Sequence, residues 1–149
     1  MGRLGDVVAI AFAAVALSPG ATWPGPPSAS PQTSSLGPPP AWVETHTNSL
    51  WLGQSSSCWR RGTHTVCADD FTPQLRTDTP VLRVRRGATV RIHFRFAPRA
   101  VSATMFRGPR ETLRSARVVE WRPPQSGLFI VSALAARGDA SYVARVRLF

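Results

Sequence analysis

Apolar and polar positions alternate with a period of two through residues 80–96. Leu82 and Val84 are interleaved with Arg83 and Arg85. Past a turn at Arg86 and Gly87, Val90, Ile92, Phe94 and Phe96 are interleaved with Arg91, His93 and Arg95. This period gives each of two β-strands one apolar face and one cationic face, the pattern of a sheet buried on one side and solvated on the other. The chain is organised around this strand pair.

The same signal recurs to the C-terminus. In residues 140–148, Tyr142, Ala144, Val146 and Leu148 alternate with Arg145 and Arg147, while 128–136 carries so little polar content that it predicts a central strand. Residues 101–106 and 117–121 predict two more strands. The Arg-rich stretch 107–116 predicts a loop with one helical turn. Toward the N-terminus, 42–47 predicts an edge strand and 50–53 a short apolar piece. Turn chemistry separates these elements, as at 123–127 and at Arg137-Gly138-Asp139. About eight short strands punctuated by Gly and Pro predict an all-β fold, an antiparallel immunoglobulin-like sandwich spanning residues 41–149.

Residues 55–69 add a hairpin with a defined register. If Gly62-Thr63 form a two-residue type II′ turn, counting outward sets Arg61 opposite His64, Arg60 opposite Thr65, Trp59 opposite Val66 and Cys58 opposite Cys67. The two cysteines then occupy a non-hydrogen-bonded pair with Cα atoms about 4.5 Å apart, within reach of a disulfide. Trp59 and Val66 are expected on the opposite face, as an apolar cross-strand pair covering the core.

The Cys58-Trp59 and Cys67-Ala68-Asp69 pieces of this hairpin, followed by P-x-L-x-V-x-x-G-x-x-V-x-I-x-F from Pro80 to Phe94, resemble uncharacterised secreted β-sandwich proteins of high-GC bacteria. The resemblance covers about residues 55–149. It implies export and a sandwich fold, and no activity.

The N-terminus also points to export. Arg3, the apolar run 7–17 and then Ser18-Pro19-Gly20-Ala21 have the order of a secretory signal peptide, placed at residues 1–21. The run is far shorter than the roughly 20 residues that span a bilayer as a helix. Residues 22–40 predict a disordered, polyproline-like linker, since eight prolines between Pro19 and Pro40 are set among small residues with little to build a core. Two cysteines in an exported chain favour a Cys58–Cys67 disulfide and a secreted or extracytoplasmic location.

Charge then narrows the partners. The chain has 18 basic and 8 acidic residues, a formal net charge of +10, and every basic residue is arginine. Such a surface attracts polyanions in general; export directs the expectation to anionic cell-envelope polymers or lipid headgroups and away from specific nucleic-acid recognition. Arg83, Arg85, Arg145 and Arg147 fall at outward positions of the strands that a sandwich commonly sets side by side. They are the candidate anion-binding residues, because the guanidinium fork fits phosphate and carboxylate. Arg91 and Arg95 fall at outward positions too.

Other chemistry is weakly represented. Asp69 and Asp70 are adjacent and would point to opposite faces of a strand, and Glu111 and Glu120 have no evident partner carboxylate, so no catalytic set emerges and a small hydrolase is a remote alternative. His46, His64, His93 and Met105 offer copper-ligand types, but a cupredoxin-like metal site would need a C-terminal Cys-His-Met cluster that the spacing lacks. No cofactor is expected. Trp42, Trp51, Trp59 and Trp121 have no spacing that aligns all four on one face as a sugar-stacking platform. Arg137-Gly138-Asp139 matches an adhesion tripeptide that ordinary turn chemistry also explains. The expectation is a non-enzymatic exported binding or structural module.

Overall fold

A computed structural model describes residues 20, 22–29, 31, 36–69 and 77–149. The expected signal peptide lies outside these residues except for Gly20, as do Asp70 and residues 71–76 of the connection that follows it.

The described chain is all β. Its strands are β1 (Ala41–Glu44), β2 (Ser49–Trp51), β3 (Gly53–Arg61), β4 (His64–Ala68), β5 (Val81–Val84), β6 (Val90–Phe94), β7 (Pro98–Met105), β8 (Arg110–Leu113), β9 (Val118–Trp121), β10 (Gly127–Ala135) and β11 (Gly138–Leu148). They form a sandwich of two sheets. The smaller has the order β2-β1-β6-β9, and the larger β4-β3-β11-β10-β7-β8 with β5 also on β11. Every pairing is antiparallel except β5 with β11. The chain passes between sheets from β6 to β7 and from β9 to β10, while β7–β8 and β10–β11 are hairpins within the larger sheet. This gives an immunoglobulin-like order.

Alternation explains which faces meet. Leu82 and Val84 of β5 and Val90, Ile92 and Phe94 of β6 are all buried, with the intervening Arg83 exposed and Arg91 and His93 half-buried. The two strands nevertheless do not pair with each other. Their apolar faces look at one another across the core from opposite sheets, and residues 85–89 carry the chain over, closed by an Ala88 N–H to Arg85 carbonyl hydrogen bond of 2.9 Å with Gly87 at φ 80°. Aromatic pairs bridge the layers: Trp121 stacks on Phe129 at 4.4 Å, and Phe94 meets Tyr142 at 6.2 Å.

Several expectations change. Eleven strands replace about eight. Residues 110–113 form β8 instead of a loop with a helical turn: three of its four residues are exposed, so a solvated strand at the rim of the sheet shows no apolar alternation to betray it. β1 is an inner strand, flanked by β2 and β6, because Leu50 and Trp51 form a strand of their own. Of the Arg-Gly-Asp tripeptide only Arg137 is at the hairpin tip, in the two-residue β10–β11 turn. Gly138 and Asp139 are paired inside β11 with β10 and β3, and the Arg137 carbonyl accepts from Arg60 N–H at 2.7 Å.

The cysteine hairpin has the predicted register, Cys58 opposite Cys67 through Arg61 opposite His64, with the disulfide formed and Cα atoms 4.0 Å apart. Gly62 has φ 58° and Thr63 is not in the left-handed region, as a type II′ turn requires. The apolar pair is split, however. Trp59 is in the core against Phe96, but β4 is exposed along its length and Val66 lies outside the core.

Candidate anion-binding face

β5 and β11 are the strands that assemble the predicted arginines. Their parallel register puts Val81 beside Arg145, Leu82 beside Val146, Arg83 beside Arg147 and Val84 beside Leu148. Leu82, Val84 and Val146 are buried, so period two sends Arg83, Arg145 and Arg147 to the outer face of the larger sheet. Arg85 follows immediately after β5 and is also exposed. The segment between them is held tightly: Arg145 N–H donates to the Pro80 carbonyl at 2.7 Å and Phe149 N–H to the Val84 carbonyl at 3.1 Å.

The four arginines are not equivalent. Arg145 is half-buried and has an interaction partner of its own. Arg83 lies over the Phe149 ring with its guanidinium carbon 5.4 Å from the centroid. Among the described residues no acidic side chain pairs with Arg83, Arg85 or Arg147. Like charges directly opposite on neighbouring strands destabilise a sheet, so Arg83 beside Arg147 is a repulsive pair that a shared anion would relieve. Arg83 and Arg85 also wall a hollow of about 380 Å³ at this end of the sandwich, with Thr45, His46, Thr47 and Phe149. Thr45 is already occupied: its Oγ1 accepts from the N–H groups of Thr47 and Asn48 in the β1–β2 turn.

Arg91 and Arg95 belong to the other sheet. Arg91 pairs with Glu120 at 3.1 Å and lies 4.1 Å over Trp23, and Arg95 lies 5.1 Å over Trp51. His93 between them faces Glu44 instead of the arginines, Nε2 to Oε1 at 2.7 Å. The second Glu44 oxygen accepts from Gly25 N–H at 3.0 Å, so this carboxylate is buried beneath the Pro-rich segment. No local sequence signal marks the pair, because Glu44 and His93 meet only through the β1–β6 register, where Glu44 is directly opposite Arg91 and His93 is two positions away along the same face.

That same face collects aromatic rings. Trp42 stacks on His93 at 4.5 Å and meets Trp51 edge-on at 5.6 Å, while Trp23 packs on His46 at 4.1 Å. Trp59 and Trp121 are buried core residues, so two of the four tryptophans share an outer face and two do not. The possible metal ligands remain apart: His64 is at the hairpin turn, His93 on the smaller sheet, Met105 in the core, and the cysteines in the disulfide. Among the described residues no three His, Cys, Asp or Glu side chains converge. The acids are dispersed as well, with Glu111 accepting from the Trp121 indole N–H at 2.9 Å and Glu120 holding Arg91.

No family model matches the chain, and no curated protein or solved structure matches it either.

Proposed function

We propose that this protein is a non-enzymatic, exported binding module that holds an anionic polymer of the cell envelope along the β5–β11 face. The observation that carries the reading is the register of Arg147 beside Arg83, with Arg85 two residues further along the same strand direction and no acid among the described residues to neutralise them. Neighbouring strands are about 5 Å apart, and alternate residues along a strand about 7 Å. A polymer with closely repeated phosphate or carboxylate groups can engage several such forks at once, where a single small anion engages one or two. The Cys58–Cys67 disulfide supports an oxidising, extracytoplasmic setting. The likeness of the hairpin and strand motifs to secreted sandwich proteins supports export.

The test is retention of the purified protein on polyphosphate, teichoic-type polymer, heparin and anionic vesicles across a salt series, beside an Arg83→Ser/Arg147→Ser variant. Binding to one polymer that persists near physiological salt and falls in the variant supports the reading. Equal, weak and salt-erased retention on every surface, unchanged in the variant, refutes it, because attraction by net charge alone is indifferent to which arginines remain.

A further inference from the structure

The opposite end of the sandwich holds a second concavity with different chemistry. β6 runs from the Arg85 end to Arg95, and the β10–β11 turn lies at the far end of β11 from Arg147. There a hollow of about 350 Å³ is walled by Trp59, Phe96, Ala135 and the three arginines Arg95, Arg117 and Arg137. The arginines come from three separate places in the chain: the end of β6, the β8–β9 connection and the β10–β11 turn. Nothing in their sequence positions links them.

The floor is aromatic. Trp59 is buried, and Phe96 is half-buried with its ring 5.1 Å from that of Trp59. Trp59 is fixed from both sides of its strand, since β3 pairs with β4 and with β11 at this level. Its indole N–H is buried and, like those of Trp42 and Trp51, has no acceptor among the described residues. The rim is cationic and unneutralised. Arg117 and Arg137 use their carbonyls to hold the Phe94 and Arg60 N–H groups, and neither guanidinium pairs with an acid among the described residues. Among the described residues no acidic side chain lines the hollow.

We propose that this end pocket binds a small organic oxoanion, a carboxylate or phosphate carried on a planar apolar body. The ring of the ligand would lie against Phe96, above the buried Trp59, and its oxygens would accept from the Arg117 and Arg137 forks. The hollow is sized for one small molecule or one terminal group, unlike the open β5–β11 face, so the pocket stands apart from the polymer site and does not depend on it.

Titration of the full chain with benzoate, phenyl phosphate and inorganic phosphate tests this, read by the Trp59 indole N–H resonance, which a Trp59→Phe variant assigns. Saturable displacement of that resonance by benzoate, phenyl phosphate or both is expected, and the two arms tell carboxylate from phosphate. Affinity should fall about tenfold or more in Arg117→Ser/Arg137→Ser, through the loss of charge-assisted hydrogen bonds, and remain unchanged in Arg83→Ser/Arg147→Ser. The proposal is overturned if no probe gives saturation, if inorganic phosphate binds as well as phenyl phosphate, or if both double variants weaken binding equally. Because the arginines are exposed, neither double variant threatens the fold.

Discussion

Arg83 and Arg147 stand side by side on adjacent parallel strands, each projecting to the outer face while its neighbours Leu82 and Val146 fill the core. Replacing either arginine with serine removes charge and leaves the packing beneath untouched. The Arg83→Ser/Arg147→Ser variant should therefore unfold at an unchanged or slightly higher denaturant midpoint, since the repulsion between the two guanidinium groups is removed with them, while the slope of log affinity against log salt for its polymer drops by about one to two. A midpoint that falls together with the slope would mean that the arginines are structural.

The Cys58–Cys67 bridge closes a loop of sequence separation 9 at the solvated edge of the larger sheet. A Cys58→Ala/Cys67→Ala variant should lose roughly 2–3 kcal/mol, the chain-entropy value for so short a loop. Urea unfolding of both proteins measures the difference. β4 contributes almost nothing to the core, so its amides should exchange first when the bridge is gone.

Tyr142, the one tyrosine in the chain, donates its hydroxyl to the Pro39 carbonyl at 2.7 Å, and burial pushes its phenol well above the ordinary value. The unfolded chain ionises this group near pH 10, whereas the native protein keeps it protonated. The stability that depends on it is complete below that pH and is lost as pH rises beyond it, since only the unfolded state releases the proton. The phenolate absorption band should therefore appear with unfolding, above the usual range. Tyr142→Phe should abolish this alkaline component and cost about 1–2 kcal/mol at neutral pH, through the unpaired Pro39 carbonyl.

Two glycines with positive φ should respond very differently to alanine. Gly62 (φ 58°) has open space where a Cβ would be added, and its substitution should cost about 1 kcal/mol of backbone strain. Gly138 (φ 140°) is pressed against β3, and a Cβ there would collide with the Cys58 carbonyl. Gly138→Ala should lose on the order of 4 kcal/mol or fail to accumulate as folded protein. Thermal unfolding of the two variants gives the comparison.

How far the sequence could be read depended on whether a local pattern carried the information. The register of the cysteine hairpin was legible because a two-residue turn fixes every cross-strand pair by counting. The burial of Leu82, Val84, Val90, Ile92 and Phe94 was legible because alternation against arginine leaves one choice of face. β8 was not, since Arg110–Leu113 has no apolar face to alternate. Nor was the placement of β5 and β6 on opposite sheets: Arg86-Gly87 serves equally as a hairpin turn or as a crossing, and which it becomes depends on β11 being free to accept β5.

The sequence by itself determined the fold class, the strand faces, the disulfide register and an outward set of arginines, because these follow from period two and from turn geometry within a few residues. Tertiary structure alone decided which distant residues meet. It brought Arg83 to Arg147 through a parallel pairing across the closing strand, sealed Glu44 between His93 and Gly25, and gathered Arg95, Arg117 and Arg137 around Trp59. Alternation states which side of a strand a residue occupies. Its neighbours on that side are set by the order in which strands assemble, and that order is fixed by the common core that both sheets must close.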